Sequence, residues 1–181
     1  MESQIWLTGF MGTGKSRIAR PLAAALDWTA IDMDALIERE AADSIASIFR
    51  RGGEGAFRAL EAQTVERVAT MENVVIATGG GTVLADGNRA RMKERGYIVC
   101  LKARPDTVER RIRESGGHVS ERPLLAGGDP LERITTLMAE REAVYAQADL
   151  VVDTDELTPD QVTHRILTAY REREAVAGGA A

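Results

Sequence analysis

The sequence predicts an α/β protein: a five-stranded parallel sheet flanked by helices. Two observations carry that prediction. Five short runs rich in apolar and β-branched residues alternate with longer stretches of helical periodicity. A glycine-rich loop joins the first run directly to a helical one, in the order strand, loop, helix. A sheet of this kind binds its ligands outside the carboxyl ends of the strands, so the chemistry is expected just after each run.

The runs are Ile5 to Thr8, Trp28 to Ile31, Val74 to Ala77, Tyr97 to Leu101 and Leu150 to Val152. After the first comes Gly9-Phe10-Met11-Gly12-Thr13-Gly14-Lys15-Ser16, which fits G-x-x-x-x-G-K-[ST] and opens the helical run Ser16 to Leu26. Glycines let such a loop curl so that successive N–H groups point inward, and the helix N-terminus adds its positive end to hold phosphate. Gly12, Thr13 and Gly14 supply the cradle, Lys15 reaches the β- and γ-phosphates, and Ser16 offers a hydroxyl oxygen to Mg²⁺. Pro21 falls inside the following helix, where the lost hydrogen bond predicts a kink or local distortion.

The second run leads into Asp32-Met33-Asp34. In an extended chain, residues two apart point to the same side, so two carboxylates are predicted to face the phosphate loop. One could act on Mg²⁺-bound water and the other accept a hydroxyl proton, roles that fall to Asp32 and Asp34 respectively. Alternatively, either could cap the helix expected over Ala35 to Glu40. The connection to the third run is too long for one crossover and carries two helical patterns, so residues 33–71 read as an inserted subdomain. Its first helix starts at a Ser44 cap and ends at Gly52-Gly53. The second places Arg58 and Glu61 one turn apart. After the third run stands Gly79-Gly80-Gly81, which permits close backbone approach to a ligand.

The fourth run holds the only cysteine, Cys100, read as a small buried apolar residue. Residues 114–129 interrupt two otherwise good helices with Gly116-Gly117 and Gly127-Gly128 around Arg122-Pro123-Leu124-Leu125, the pattern of a hinged lid. Residues 1–174 read as one domain and 175–181 as a disordered tail. His118 and His164 have no partner at ligand spacing and read as surface residues.

Composition excludes other classes. A net charge of −5, a pI of about 5.2 and 4% aromatic residues are the wrong surface for nucleic acid or an anionic membrane. The chain has no apolar run of about eighteen residues, the length a membrane-spanning helix needs. A cytoplasmic monomer acting on a small molecule is expected. Arg58, Arg122 and Arg141 fall on elements that this fold brings over one cleft, where a planar guanidinium can bind a carboxylate through two parallel bonds. With 23 basic residues, composition alone leaves each of them equally able to be a solvated surface group.

From Ile5 to Tyr170 the sequence resembles the shikimate kinases. The resemblance is carried by the loop Gly9 to Ser16, Asp32-x-Asp34, Ser44-Ile45-x-x-Ile48-Phe49, Phe57-Arg58-x-x-Glu61, Gly79-Gly80-Gly81, Arg122-Pro123-Leu124-Leu125, Arg141-x-x-x-Tyr145 and Val152-Asp153-Thr154. It implies a nucleoside-monophosphate-kinase-like fold with a substrate-binding subdomain and a lid, and transfer from Mg-ATP to the 3-hydroxyl of shikimate. It further implies that Arg58, Arg141, Gly80 and Gly81 hold the carboxylate and ring of shikimate, and that Asp34 binds hydroxyls beside the attacking oxygen. Arg122 would close over the transferring phosphate, and Glu61 would orient Arg58. An arginine at the start of the lid is placed on the adenine face, for which Arg113 is the choice and Arg110 or Arg111 the alternatives. The loop from Asp155 to Pro159 would flank the adenine through backbone contacts. A kinase for another acid such as gluconate, or a nucleotide-binding module without catalysis, would share the loop but not this whole set.

Overall fold

The computed structural model describes residues 3–115, 125 and 128–179. Five strands form one parallel sheet: β1 (Gln4–Thr8), β2 (Thr29–Asp32), β3 (Val74–Ala77), β4 (Tyr97–Lys102) and β5 (Leu150–Asp153), in the order β2-β3-β1-β4-β5. Leu7 of β1 pairs with Ala77 on one side and Val99 on the other, so β1 is the central strand. Ile5 and Leu7 pack with α1 (Lys15–Leu26) and α7 (Pro159–Gly179), whereas Trp6 packs on the opposite face. Val65 and Val68 of α3 (Ile45–Val68) and Met92 of α4 (Asp86–Arg95) cover that opposite face.

The segment between β2 and β3 builds α2 (Met33–Ala41) and α3 around a small apolar cluster of its own, Ile37, Ile48 and Phe57. The break expected at Gly52-Gly53 is real but brief. Gly53 alone leaves helical geometry, at φ 69° and ψ −176°, and helix resumes at once. Beyond β4, α5 (Pro105–Glu114) and α6 (Pro130–Tyr145) flank the predicted lid, and Leu125 packs with Phe10, Val108 and Ile134. Residues 116–124, with Arg122 and His118 among them, lie outside the described residues.

Three expectations need correction. Helix α1 runs unbroken through Pro21, so the proline removes a donor without interrupting the element. Asp32 and Asp34 are not an extended pair: the strand ends at Asp32, and Asp34 lies in the first turn of α2. The tail expected to be disordered from 175 continues α7 to Gly179, its Val176 exposed; its alanines keep good helix propensity where the buried stripe has ended.

Candidate active site

A cavity of about 650 Å³ opens at the carboxyl end of the sheet. Its walls come from the loop Met11–Ser16, from Asp32 at the end of β2 and Asp34 beyond it, from Thr78 and Gly80 after β3, and from Arg110, Arg111 and Thr154 on the β5 side. Because β2 and β5 are the two sheet edges, the cavity spans the crevice over the central strand.

The loop is built as its sequence requires. Gly9, Gly12 and Gly14 all have positive φ, at 122°, 77° and 100°. Thr13 Oγ1 donates to the Phe10 carbonyl at 2.8 Å, pinning the curl. The buried Lys15 ammonium donates to the carbonyls of Gly9 and Phe10 at 2.8 and 2.9 Å, so its charge lies across the loop. The Ser16 hydroxyl donates to Asp32 Oδ2 at 2.5 Å, and Asp32 also caps α2 by accepting from Ala35 N. Asp32 thus takes the cap reading that the sequence left open, and its other oxygen lies beside Ser16.

Asp34 sits deeper. Desolvation pushes its carboxyl up to about 6; the Lys15 ammonium opposes this, while Asp32, Glu61 and Glu38 add to it. Such a group is ionised at neutral pH yet close enough to its midpoint to take a proton readily.

The glycine triplet is where the acceptor side converges. A Cβ on Gly79 would come within 2.7 Å of Glu61 Oε1 and 3.1 Å of Asp34 Oδ1. One on Gly81 would stand 2.5 Å from Arg58 Nη2, and one on Gly80 would press 3.2 Å from the Met11 amide of the phosphate loop. Each glycine therefore clears a different neighbour. The carbonyl of Gly80 accepts from Tyr145 Oη at 2.6 Å, and Arg141 Nη1 lies 3.5 Å from it. Arg141 is buried with its guanidinium over the Phe10 ring, 5.4 Å from the centroid.

Arg58 is held by two carboxylates. Glu54 accepts from Nε and Nη2, and the buried Glu61 accepts from Nη1 at 2.8 Å and from Thr82 Oγ1 at 2.7 Å. Half-burial lowers the guanidinium pKa, but Glu61 and Glu54 outweigh that and the net shift is upward. Sequence reading found Glu61 and missed Glu54 and Thr82. Glu54 sits four residues before Arg58, a helical pairing distance that was there to be read. Thr82 carried no signal beyond following the triplet.

Arg113 is not at the cavity. It turns outward and pairs back to Glu109 at 2.7 Å, one turn earlier on α5. Arg110 and Arg111 line the cavity instead, and Arg111 donates to the hydroxyl and carbonyl of Thr154 at 2.9 and 2.7 Å.

Residues 11–171 match the family model described as "Shikimate kinase". The chain belongs to the shikimate kinase family. The shikimate kinase of Caldanaerobacter subterraneus subsp. tengcongensis is 42% identical over 92% of this chain and 95% of its own length. That of Geobacter metallireducens is 45% identical over 92% and 90%. Among solved structures, shikimate kinase from Acinetobacter baumannii in complex with shikimate superposes with a TM-score of 0.88 at 29% identity, covering 94% of each chain. As a shikimate kinase this chain is a phosphotransferase acting on an alcohol group of shikimate, within aromatic amino acid biosynthesis, and its donor is ATP.

Proposed function

We propose that transfer occurs from ATP to the 3-hydroxyl of shikimate across the cavity between Lys15 and the glycine triplet. The observation that carries this reading is the convergence of Asp34, Arg58 and Arg141 on Gly79, Gly81 and Gly80 respectively. Arg58 and Arg141 bind the shikimate carboxylate, each through charge-assisted bonds. Asp34 holds the neighbouring hydroxyls and accepts the proton of the attacking one. Gly12 to Ser16 cradle the β- and γ-phosphates, with Lys15 moving from its loop carbonyls onto the phosphate.

Arg122 supplies a further cation to the transferring group from the lid segment, by likeness to the family. Of the lid-entry arginines, Arg110 takes the adenine face, because it lines the cavity while Arg111 is committed to Thr154. Ser16 Oγ and Asp32 Oδ2 are the hard oxygen donors that fit Mg²⁺, Ser16 directly and Asp32 through water. When bound there, Mg²⁺ neutralises phosphate charge. Transfer is in line, with no covalent intermediate on the chain. A monomeric cytoplasmic enzyme completes the reading, which rests on composition; light scattering and cell fractionation test it.

The test is ADP release coupled to a chromophore, with shikimate, gluconate and no acceptor in parallel, and the product's phosphate position read by phosphorus–proton NMR. Shikimate-dependent release giving the 3-phosphate is expected. Equal rates with gluconate, or phosphate on another hydroxyl, would overturn the assignment.

A further inference from the structure

The two carboxylates that grip Arg58 are of unequal character. Glu61 accepts from Nη1 at 2.8 Å, while Glu54 accepts from Nη2 and Nε at 2.9 and 3.2 Å, so every nitrogen of the guanidinium has an acid on it. The Glu61 side chain is 1% exposed and also takes the Thr82 hydroxyl, whereas that of Glu54 is 53% exposed. A buried, doubly bonded carboxylate is fixed in place. An exposed ion pair contributes little and parts readily.

Glu54 covers the edge of the guanidinium that an incoming carboxylate needs. Nε and Nη2 present two parallel N–H groups, the geometry that matches a carboxylate. At the other end both Nη atoms lie against Gly81, where a Cβ would come within 2.5 and 2.6 Å of them, and Nη1 is spent on Glu61. The backbone around Glu54 is also able to carry it aside. Glu54 directly follows Gly53, the one residue of α3 outside helical geometry, and precedes Gly55.

We propose that the Glu54 carboxylate is a built-in stand-in for the carboxylate of the acceptor: it holds the Nε–Nη2 edge of Arg58 in the empty site and is displaced from it when an acidic acceptor binds. This rests on the reading above that Arg58 binds the carboxylate of shikimate. Glu54 is a positioning residue that acts through Arg58. It keeps the guanidinium aimed while the site is empty, and because a neutral acceptor has no charge with which to displace it, it bears on the choice between acids and their neutral analogues. The exchange has a consequence of unusual sign, since removing Glu54 should tighten binding of the substrate.

The experiment is calorimetric binding of shikimate and of its methyl ester to wild type, Glu54→Gln, Glu54→Asp and Glu40→Gln, the last removing an acid from the same subdomain that pairs with Arg67 instead. Glu54→Gln is expected to tighten shikimate about two- to fivefold, the scale of one exposed ion pair, and to leave the ester unchanged. Glu54→Asp keeps the charge on a shorter side chain and should retain part of the gain; Glu40→Gln should change neither ligand. Proton–nitrogen NMR of the Arg58 Nε–H, assigned by its absence in Arg58→Lys, reads the edge itself. In Glu54→Gln this proton should exchange rapidly with water in the empty protein and become protected at saturating shikimate. Shikimate affinity unchanged or weaker in Glu54→Gln, an equal gain for the ester, Glu54→Asp identical to wild type, or an Nε–H still unprotected in the shikimate complex would each overturn the proposal. Wild type binding the ester as tightly as shikimate would instead overturn the carboxylate site at Arg58, and this proposal with it.

Discussion

Arg58 Nη1 donates to the buried carboxylate of Glu61 at 2.8 Å, across one turn of α3. Removing the arginine leaves that buried carboxylate the Thr82 hydroxyl but not the guanidinium charge beside it, whereas removing both charges leaves no buried ion to compensate. Arg58→Ala is expected to cost about 2–3 kcal/mol of stability, reduced from the fully buried case because Arg58 is part exposed. The double variant Arg58→Ala/Glu61→Gln should recover part of this loss. Denaturant unfolding of Arg58→Ala, Glu61→Gln and the double variant measures it, and simple additivity of the two single changes would show that the pair is not coupled.

Gly81 tests the acceptor side without removing a charge. A methyl group there would meet the Arg58 guanidinium at 2.5 Å, so Gly81→Ala must push it from its place between Glu54 and Glu61. The KM for shikimate should rise about tenfold or more, the worth of a displaced charge-assisted bond, while ADP affinity holds. Steady-state kinetics with both substrates varied decides it; an unchanged shikimate KM would place the carboxylate elsewhere.

Asp34 should leave a mark on pH dependence. Its folded pKa of about 6 lies above the ordinary 3.8, so the folded protein binds more protons than the unfolded chain between those values. The stability this group contributes is complete below about pH 4 and lost as pH rises through about 6. Asp34→Asn should therefore be more stable than wild type at pH 7, by at most about 2–3 kcal/mol, with the gain vanishing near pH 4. In wild type, kcat/KM for shikimate should fall about tenfold per pH unit below about pH 6, as the base is protonated in the free enzyme. Thermal melts and rate profiles over the same buffers check both.

Much of this was legible in the sequence because it rests on local pattern. The strand runs needed only shifts of about one residue at their ends, and the phosphate loop follows from glycines at fixed spacing before a helix. Arg58 and Glu61 were readable from helical period alone. What escaped was contact between distant segments. Nothing in Gly79-Gly80-Gly81 says that Glu61 and Arg58 of α3 and Met11 of the phosphate loop press on its three residues. Arg113 lies off the cavity wall because a few residues along a helix decide between wall and solvent, and Glu109 four residues earlier draws it back along α5. Asp32 and Asp34 reach the cavity, yet through a strand end and a helix turn rather than one extended face, since the Asp32 cap starts α2 at once.

The most direct measurement is of Asp34→Asn, which keeps shape and hydrogen-bonding capacity and removes the negative charge. Mg-ADP affinity by calorimetry and single-turnover transfer to shikimate would be compared with wild type. If Asp34 takes the hydroxyl proton, transfer falls about 10²- to 10⁴-fold while ADP affinity stays within about twofold. Poor nucleotide binding combined with normal transfer at saturation would contradict that role and make Asp34 part of the nucleotide site.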